Sequence, residues 1–392
     1  MPPAPTSAIS DRARNSARRT FLAAAVVASL AIVLLTASRT AAASGRSVSR
    51  AAAPAAAAAA APMYAVYYLW WSTNHWHTKL GLNYPYAQRP APLPATLAAD
   101  GCHPVSSYKG NTLSDVSPTL VSQDDPGAIA ADVKTAAAAG LSGFAVNWAG
   151  SGTTTQGVTA NPYNARLDVL VKAVAAIRAT GVKFSLWLSY MGSASMKTPT
   201  AIVNDMNYLY RSYGTSPVWD RSKSPRLTFV WTGSRKYSLS ALASVSTAER
   251  SRYFIVGDEN WGTWTASRAT YLDGDQYYWS SQNPYNNANS FAQLAALAST
   301  VRASGSNPDG SAKVWFAPLA PGFDTILSGG SACTPRNNGQ TLRLLYTGNA
   351  RSNPDGWVVI SWNEITEGTY VMPLARYGMT YLNALRAIAT GS

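Results

Sequence analysis

From Met63 to the C-terminus, short runs of β-branched, aliphatic and aromatic residues alternate with longer stretches rich in Ala and Leu. The short runs predict strands at Tyr64–Trp70, Ser142–Trp148, Lys183–Ser189, Arg226–Trp231, Tyr253–Gly257, Asp275–Trp279, Val314–Pro318 and Trp357–Trp362. The longer stretches predict helices at Ala128–Ala139, Leu167–Thr180, Ala201–Tyr213, Ser238–Ser251, Phe291–Ala303, Thr341–Ala350 and Leu374–Ala389. In the second of these, Leu167, Leu170, Val171, Val174 and Ile177 fall on one helical stripe. A long loop rich in Pro, Asn, Gly and Ser follows the first strand to about Asp125, and the connection before the sixth strand is short and poorly defined. Such alternation requires parallel strands joined by helical crossovers. Eight units over about 330 residues suit an α/β fold, a (β/α)8 TIM barrel with long βα loops. A doubly wound open sheet is the alternative, weakened by the lack of a GxGxxG turn after the first strand.

The first 62 residues follow another pattern. A basic segment, Arg12 to Arg19, precedes an apolar run from Phe21 to Ala37, and small residues follow at Thr40-Ala41-Ala42-Ala43-Ser44. Residues 1–43 therefore read as a signal peptide, and Arg18-Arg19-Thr20-Phe21-Leu22 resembles a twin-arginine signal. Residues 44–62 are almost all Ala, Ser, Arg and Pro, too poor in large apolar side chains to build a core, and read as a linker before a single domain over 63–392. The expected destination is extracellular; an uncleaved membrane anchor is the alternative, although the apolar run is short for a span.

Composition adjusts this picture in three places. Of the net charge of +13, +6 comes from the first 50 residues, where seven of the 32 basic residues stand against one acid, Asp11, and the remaining +7 is spread along the domain. No basic stripe remains in the domain, so nucleic acid is not an expected partner. The chain holds 13 Trp and 21 Tyr against 8 Phe, which suits either a carbohydrate groove or a well-filled core. The two cysteines, Cys102 and Cys333, are far apart without CxxC spacing, which argues against thiolate metal ligation.

In a (β/α)8 barrel the chemistry gathers at the C-terminal strand ends. The residues expected there as glycan contacts are Tyr68, Trp70, His75, Asn147, Trp148, Tyr190, Trp231, Asp258, Trp279, Tyr285 and Asn363. The eighth strand runs into Glu364 and Glu367, two carboxylates three residues apart that can enter one cleft if the chain turns. Glycoside hydrolysis uses such a pair, and mutual repulsion separates an acid from a base. Asp258 and Glu259 share the same positional claim, and a Glu at a strand end also serves as an ordinary barrel-lining partner. His75 and His77 could share a strand face as metal ligands, but with only His103 besides them no ligand spacing emerges. A serine hydrolase is disfavoured by the lack of a GxSxG elbow. Neither metal nor cofactor is expected.

The segment Ser361-Trp362-Asn363-Glu364-Ile365-Thr366-Glu367-Gly368-Thr369 resembles the NEWHEGT signature of glycoside hydrolase family 99, the endo-α-mannosidases and endo-α-mannanases. Tyr67-Tyr68-Leu69-Trp70-Trp71 with His75-Trp76 is similar to the family's first-strand region, and Asp124-Asp125-Pro126 with Gly143–Trp148 to its second. Tyr278-Trp279, Asn283-Pro284-Tyr285 and Pro321-Gly322-Phe323-Asp324 with Arg336-Asn337-Asn338-Gly339 follow in the family's order, so the likeness spans residues 63 to 388. It implies a retaining, endo-acting hydrolase of α-linked mannosides. Glu364 would deprotonate the substrate's 2-hydroxyl, and Glu367 would act as acid and then base. Two departures stand beside the pair: Ile365-Thr366 replaces the Trp-His between the two glutamates, and Met372 replaces the Glu of a Glu-Pro pair. They mark a divergent member, with a non-catalytic carbohydrate-binding barrel or a family-99-like enzyme of surface-polysaccharide metabolism acting on a different glycan as rivals. The expected partner is a polysaccharide or oligosaccharide; the mature protein is expected to be a monomer off the membrane. In a closed barrel the loops after strands 7 and 1 flank strand 8, so a Cys102–Cys333 disulfide beside Glu364 is expected, two separate thiols being the alternative.

N-terminal sequencing of secreted protein should place the mature start between Ala41 and Met63. Recovery of full-length chain in the membrane fraction alone would identify the apolar run as an anchor.

Overall fold

The computed structural model describes residues 61–80, 102, 122–152, 160–191, 197–325, 332–374 and 376–391. The expected signal peptide and nearly all of the linker lie outside the described residues. Among the described residues no helix is long and apolar enough to cross a membrane.

Eight parallel strands close into a barrel: β1 (Met63–Tyr68), β2 (Gly143–Trp148), β3 (Ser185–Tyr190), β4 (Leu227–Trp231), β5 (Tyr253–Gly257), β6 (Gly274–Gln276), β7 (Val314–Leu319) and β10 (Gly356–Val359). Each pairs with its neighbour in sequence, and β10 pairs in parallel with both β7 and β1, which excludes the open sheet. A two-stranded antiparallel ribbon, β8 (Phe323–Asp324) and β9 (Cys333–Thr334), stands between β7 and the last barrel strand. The surrounding helices are α1 (Thr73–Leu80), α2 (Pro126–Ala138), α3 (Ala160–Ala179), α4 (Pro199–Tyr213), α5 (Leu239–Glu249), α6 (Ala266–Ala269), α7 (Ser290–Ala303), α8 (Gln340–Asn349) and α9 (Thr380–Thr390).

Local sequence explains where these elements begin. Helix α2 starts at an Asp125 cap whose carboxylate accepts from Gly127 N at 2.8 Å, with Pro126 in the first turn. Thr198 with Pro199, and Ser238, do the same for α4 and α5. The first strand ends at Tyr68 rather than Trp70, the sixth at Gln276 rather than Trp279, the helix predicted from Leu167 starts already at Ala160, and three further differences bear on the site. The loop after β1 contains helix α1. The last strand ends at Val359 rather than Trp362, because Ser361 N turns back to Thr369 O at 2.8 Å. The last helix starts only at Thr380, after a left-handed turn at Gly378 (φ 48°).

Apolar side chains sort into two cores. One lies between strands and helices; the other fills the barrel and includes Tyr64, Val66, Ala145, Trp187, Val230, Phe254, Phe316 and Val358. Tyr64 stacks on Trp187 with centroids 3.8 Å apart, and Trp187 meets Phe316 at 4.4 Å, plugging the lower barrel. This plug demands a glycine at position 143, where a Cβ would stand 1.9 Å from Ser185 O and 2.8 Å from the Tyr64 ring. With the lower half filled by aromatics, the polar inward positions lie toward the C-terminal strand ends.

Between α2 and β1, Asp132 is buried and accepts the Tyr67 hydroxyl at 2.8 Å. Burial pushes its carboxyl up to about 7, with the Tyr67 hydrogen bond opposing. The folded protein thus holds a proton that the unfolded chain gives up in the ordinary aspartate range. Stability from this group is complete below that range and is lost as pH rises through about 7. Asp132→Asn should therefore gain on wild type in denaturation midpoint between about pH 5 and pH 8. A constant difference across that window would contradict this reading of Asp132.

Candidate active site

Beyond β10 the chain folds into a compact turn over Ser361–Thr369. Ser361 N donates to Thr369 O at 2.8 Å, Thr369 N to Glu364 O at 3.2 Å and Gly368 N to Ile365 O at 3.1 Å. The Ser361 hydroxyl accepts from Glu364 N at 2.7 Å. Gly368 adopts φ 58°, and a Cβ there would come 3.0 Å from the Asp324 Cβ. Glu364 and Glu367 therefore belong to one closed turn at the C-terminal end of a barrel strand. Glu364 is buried, and its Oε1 accepts Thr366 N at 2.9 Å and also the Thr366 hydroxyl. Thr366, one of the two departures from the family signature, thus contacts the first carboxylate directly.

Asn363 locks this turn to β1. Its Oδ1 accepts Tyr68 N at 2.8 Å, its Nδ2 donates to Tyr68 O at 2.9 Å, and its carbonyl accepts Trp71 Nε1 at 2.5 Å. With both amide atoms engaged by backbone, Asn363 is a clasp. The backbone so gripped carries Tyr68, whose ring points into the barrel mouth and whose hydroxyl lies 2.7 Å from that of Tyr278. Burial pushes both phenols well up, and the negative charges of Glu364 and Glu367 push both further. Both carboxylates thus act on the phenol pair, in which the tyrosines remain protonated.

The turn is also held from outside. Asp324 N, on the ribbon, donates to Glu367 O at 2.7 Å. The other ribbon strand carries Cys333, joined by a disulfide to Cys102 with Cα atoms 6.0 Å apart. Arg336, just past the ribbon, donates through Nη2 to Gly368 O at 2.7 Å. Its guanidinium carbon sits 4.5, 4.3 and 4.6 Å from the ring centres of Tyr370, Tyr377 and Tyr381.

Asp258 and Glu259, the other strand-end acids, are committed elsewhere. Asp258 accepts Arg235 Nη1 and Gly233 N, each at 2.7 Å, and Tyr278 N at 3.1 Å. It thereby fixes the backbone that presents Tyr278. Burial raises its carboxyl while Arg235 opposes. Glu259 is fully buried against Arg268 at 2.6 Å and accepts the Ser234 hydroxyl at 2.6 Å.

The remaining expected contacts divide by the side of the sheet they occupy. Asn147 faces the barrel mouth, level with Tyr68 across the β1–β2 ladder, and its Oδ1 has no hydrogen-bond partner among the described residues. Trp70 lies between Tyr68, at 4.3 Å, and His75, at 5.7 Å, in a three-ring stack beside the mouth. Trp148, Tyr190 and Trp231, by contrast, lie in the layer between strands and helices. Trp148 Nε1 donates to Asn164 Oδ1 at 2.8 Å, Tyr190 OH donates to Asp205 at 2.7 Å, and Trp231 packs on Tyr237. Their inward-facing neighbours are Asn147, Ser189 and Thr232. His75 and His77 sit on helix α1, so the premise of two alternate residues on one strand face does not hold. Among the described residues no group of three or more His, Cys, Asp or Glu could hold a metal ion. Trp279 is half-buried against Trp261 and Tyr277, while Tyr285 is exposed with its hydroxyl 3.0 Å from that of Thr341. Sequence reasoning did not select Tyr278 or Arg336 as site residues. Tyr278 follows from strand parity, since Gly274, Gln276 and Tyr278 are alternate positions; Arg336 stands in the Arg336-Asn337-Asn338-Gly339 stretch of the family resemblance, which assigned it no role.

No family model and no curated protein sequence matches the chain. Among solved structures, the GH99 endo-α-mannosidase from Bacteroides thetaiotaomicron superposes with a TM-score of 0.60 at 16% identity, covering 84% of this chain and 96% of that one. The same enzyme in complex with bis-tris-propane gives a TM-score of 0.57 at 16% identity over the same shares. A structure described as a glycoside hydrolase-like protein gives 0.53 at 11% identity, covering 73% of this chain and 92% of its own. The chain thus has the (β/α)8 fold of GH99 structures at a divergent level of sequence.

From its place in the outer layer, Trp148→Ala should cost about 3–5 kcal/mol of stability, as removal of a buried large aromatic does. Chemical denaturation would show this, with affinity for glycan nearly unchanged. The opposite pattern would put the indole in the cleft.

Proposed function

We propose that this chain is an exported glycoside hydrolase, retaining and endo-acting on α-linked mannoside-like glycans, with Glu364 and Glu367 as its catalytic pair. One observation carries the reading: both glutamates lie on a single turn at the mouth of the barrel, and the charges of both bear on the Tyr68–Tyr278 pair. The rival acids Asp258 and Glu259 are fixed by arginines. The fold and the resemblance of the 361–369 segment to the GH99 signature support the same assignment.

In the mechanism that this resemblance implies, Glu364 takes the proton of the sugar 2-hydroxyl. The freed oxygen attacks C1, the bond from C1 to the leaving oxygen breaks, and Glu367 protonates that oxygen. Glu367 then takes a proton from water, whose oxygen attacks C1 and opens the 1,2-anhydro ring, while O2 recovers its proton from Glu364. Two displacements at C1 retain the anomeric configuration. Tyr68 and Tyr278, neutral and joined to each other, supply hydroxyl dipoles beside both carboxylates without adding charge.

A digest of a glycan library, read by mass spectrometry with NMR of the first-formed anomer, tests this. Wild type should release oligosaccharides with retained configuration, and Glu364→Gln should release none from any natural glycan while still binding it. Glu367→Gln should keep activity on an activated aryl glycoside and lose about 10²–10⁴-fold more on poor leaving groups. Near-wild-type turnover by both variants on a natural glycan would refute the assignment.

A further inference from the structure

A second aromatic surface lies past the C-terminal ends of β5 and β6. After β5 the chain makes a tight turn in which Thr263 N and Trp264 N both donate to Asn260 O, at 3.0 and 2.9 Å. Asn260 N donates to the Thr263 hydroxyl at 2.9 Å and Gly262 N to Asn260 Oδ1 at 2.9 Å, so the turn is fixed by its own bonds. At its tip Trp261 is 47% exposed. Its ring centre lies 5.5 Å from both Tyr277 and Trp279, which are themselves 5.3 Å apart and half-buried. The Arg235 guanidinium lies 5.7 Å from the Tyr277 ring centre and is held by Asp258 at 2.7 Å. A rigidly presented indole left half in water contributes little to folding, whereas the apolar face of a ligand ring would cover it.

Position ties this surface to the cleft. Tyr277 and Trp279 flank Tyr278 in sequence, and alternate residues of an extended segment point to opposite sides. Tyr278 reaches the Tyr68 hydroxyl at 2.7 Å, while its two neighbours turn toward Trp261. Consecutive Cα atoms are about 3.8 Å apart, so the platform begins directly beside the cleft wall. Asp258 anchors both sides, accepting Tyr278 N at 3.1 Å and holding the Arg235 that covers Tyr277.

We infer that Trp261, Tyr277 and Trp279 form a stacking subsite for a further sugar ring of the glycan chain, beyond the two units that flank the cleaved bond. The ligand class is a neutral α-linked oligosaccharide of more than two units. The inference rests on the glycosidase reading for the course of the chain through the cleft, but binding at the platform does not require turnover.

The test measures binding of a size series of α-linked manno-oligosaccharides, from the disaccharide upward, to the full chain carrying Glu364→Gln. Calorimetry gives affinity, and tryptophan fluorescence reports burial of the exposed indole. Affinity should rise with length, accompanied by a blue shift in emission. Adding Trp261→Ala should weaken the longer sugars about tenfold and abolish the gain on lengthening. Trp261→Tyr, which keeps an aromatic face, should retain most of the gain, and unchanged thermal denaturation would show that both variants fold. The inference is overturned if no member of the series binds, if affinity does not rise with length, or if Trp261→Ala keeps the gain. A length gain that depends on Trp261, with no product released by wild type from any member, would leave the subsite standing and remove the glycosidase reading instead.

Discussion

The site depends on the seam where the barrel closes, between strands almost 300 residues apart in sequence. The β1–β10 ladder pairs Met63 with Trp357 and Ala65 with Val359, and Trp362 N still reaches Val66 O at 2.8 Å. Past that point β10 turns away, and the backbone of Tyr68 would lose its partner on this side. The Asn363 side chain takes over with two hydrogen bonds to Tyr68. On the far flank Gln123 makes a similar bridge, donating to Tyr68 O at 2.7 Å and accepting from Trp71 N at 2.9 Å. A buried backbone group left unpaired costs about 1–3 kcal/mol, so two amide side chains do here what a longer strand would otherwise do. They also leave room for the chain to turn and carry two carboxylates into the mouth.

The distribution of buried charge follows the same division between frame and site. Around the barrel, three buried acids are matched to cations within the sheet–helix layer: Asp205 with Lys197 at 2.6 Å, Glu259 with Arg268 at 2.6 Å and Asp273 with Arg250 at 2.8 Å. Each is further satisfied by hydroxyl or backbone donors, the condition under which a buried ion pair is tolerated. Such acids have their lone pairs spent and are poor candidates for proton transfer. Among the described residues, the neighbours of the Glu364–Glu367 turn include the Tyr68 and Tyr278 phenols and the Thr366 hydroxyl, groups that can reorient around a moving proton.

Much of this was legible from residues alone, and the limit has a physical cause. Eight β-rich runs spaced by helical stripes identify the barrel, and the Glu364–Glu367 spacing survives folding because a short turn preserves it. Direction is harder. A strand covered on both faces is apolar at nearly every position, so its pattern does not say which residue looks inward. A shift of one residue then moves a side chain to the other face. Trp148, Tyr190 and Trp231 were expected at the mouth on that account, while Asn147, Ser189 and Thr232 beside them hold the inward positions. Where polar or small residues interrupt a run, as at Gly274 and Gln276, parity is readable and leads to Tyr278. The Arg336 contact with Gly368 joins positions 32 residues apart, and although the family-like stretch includes Arg336, no periodicity says what it touches.

That last contact bears on how one turn can hold two carboxylates. Glu364 and Glu367 stand three residues apart on this turn, and two negative charges there repel unless something offsets them. Arg336 stands against this turn through Gly368, yet among the described residues no carboxylate pairs with it; its contacts are the three tyrosine rings and the carbonyl. Rings attract a cation through their quadrupoles without cancelling its charge. Paired with an acid, the same guanidinium would present a neutral unit to the turn. Caged by Tyr370, Tyr377 and Tyr381 it keeps its full positive charge behind Gly368, on the chain directly after Glu367. The aromatic richness of this chain therefore has two separate uses, a wet one at the mouth and a buried one behind the turn, and composition alone could not divide them.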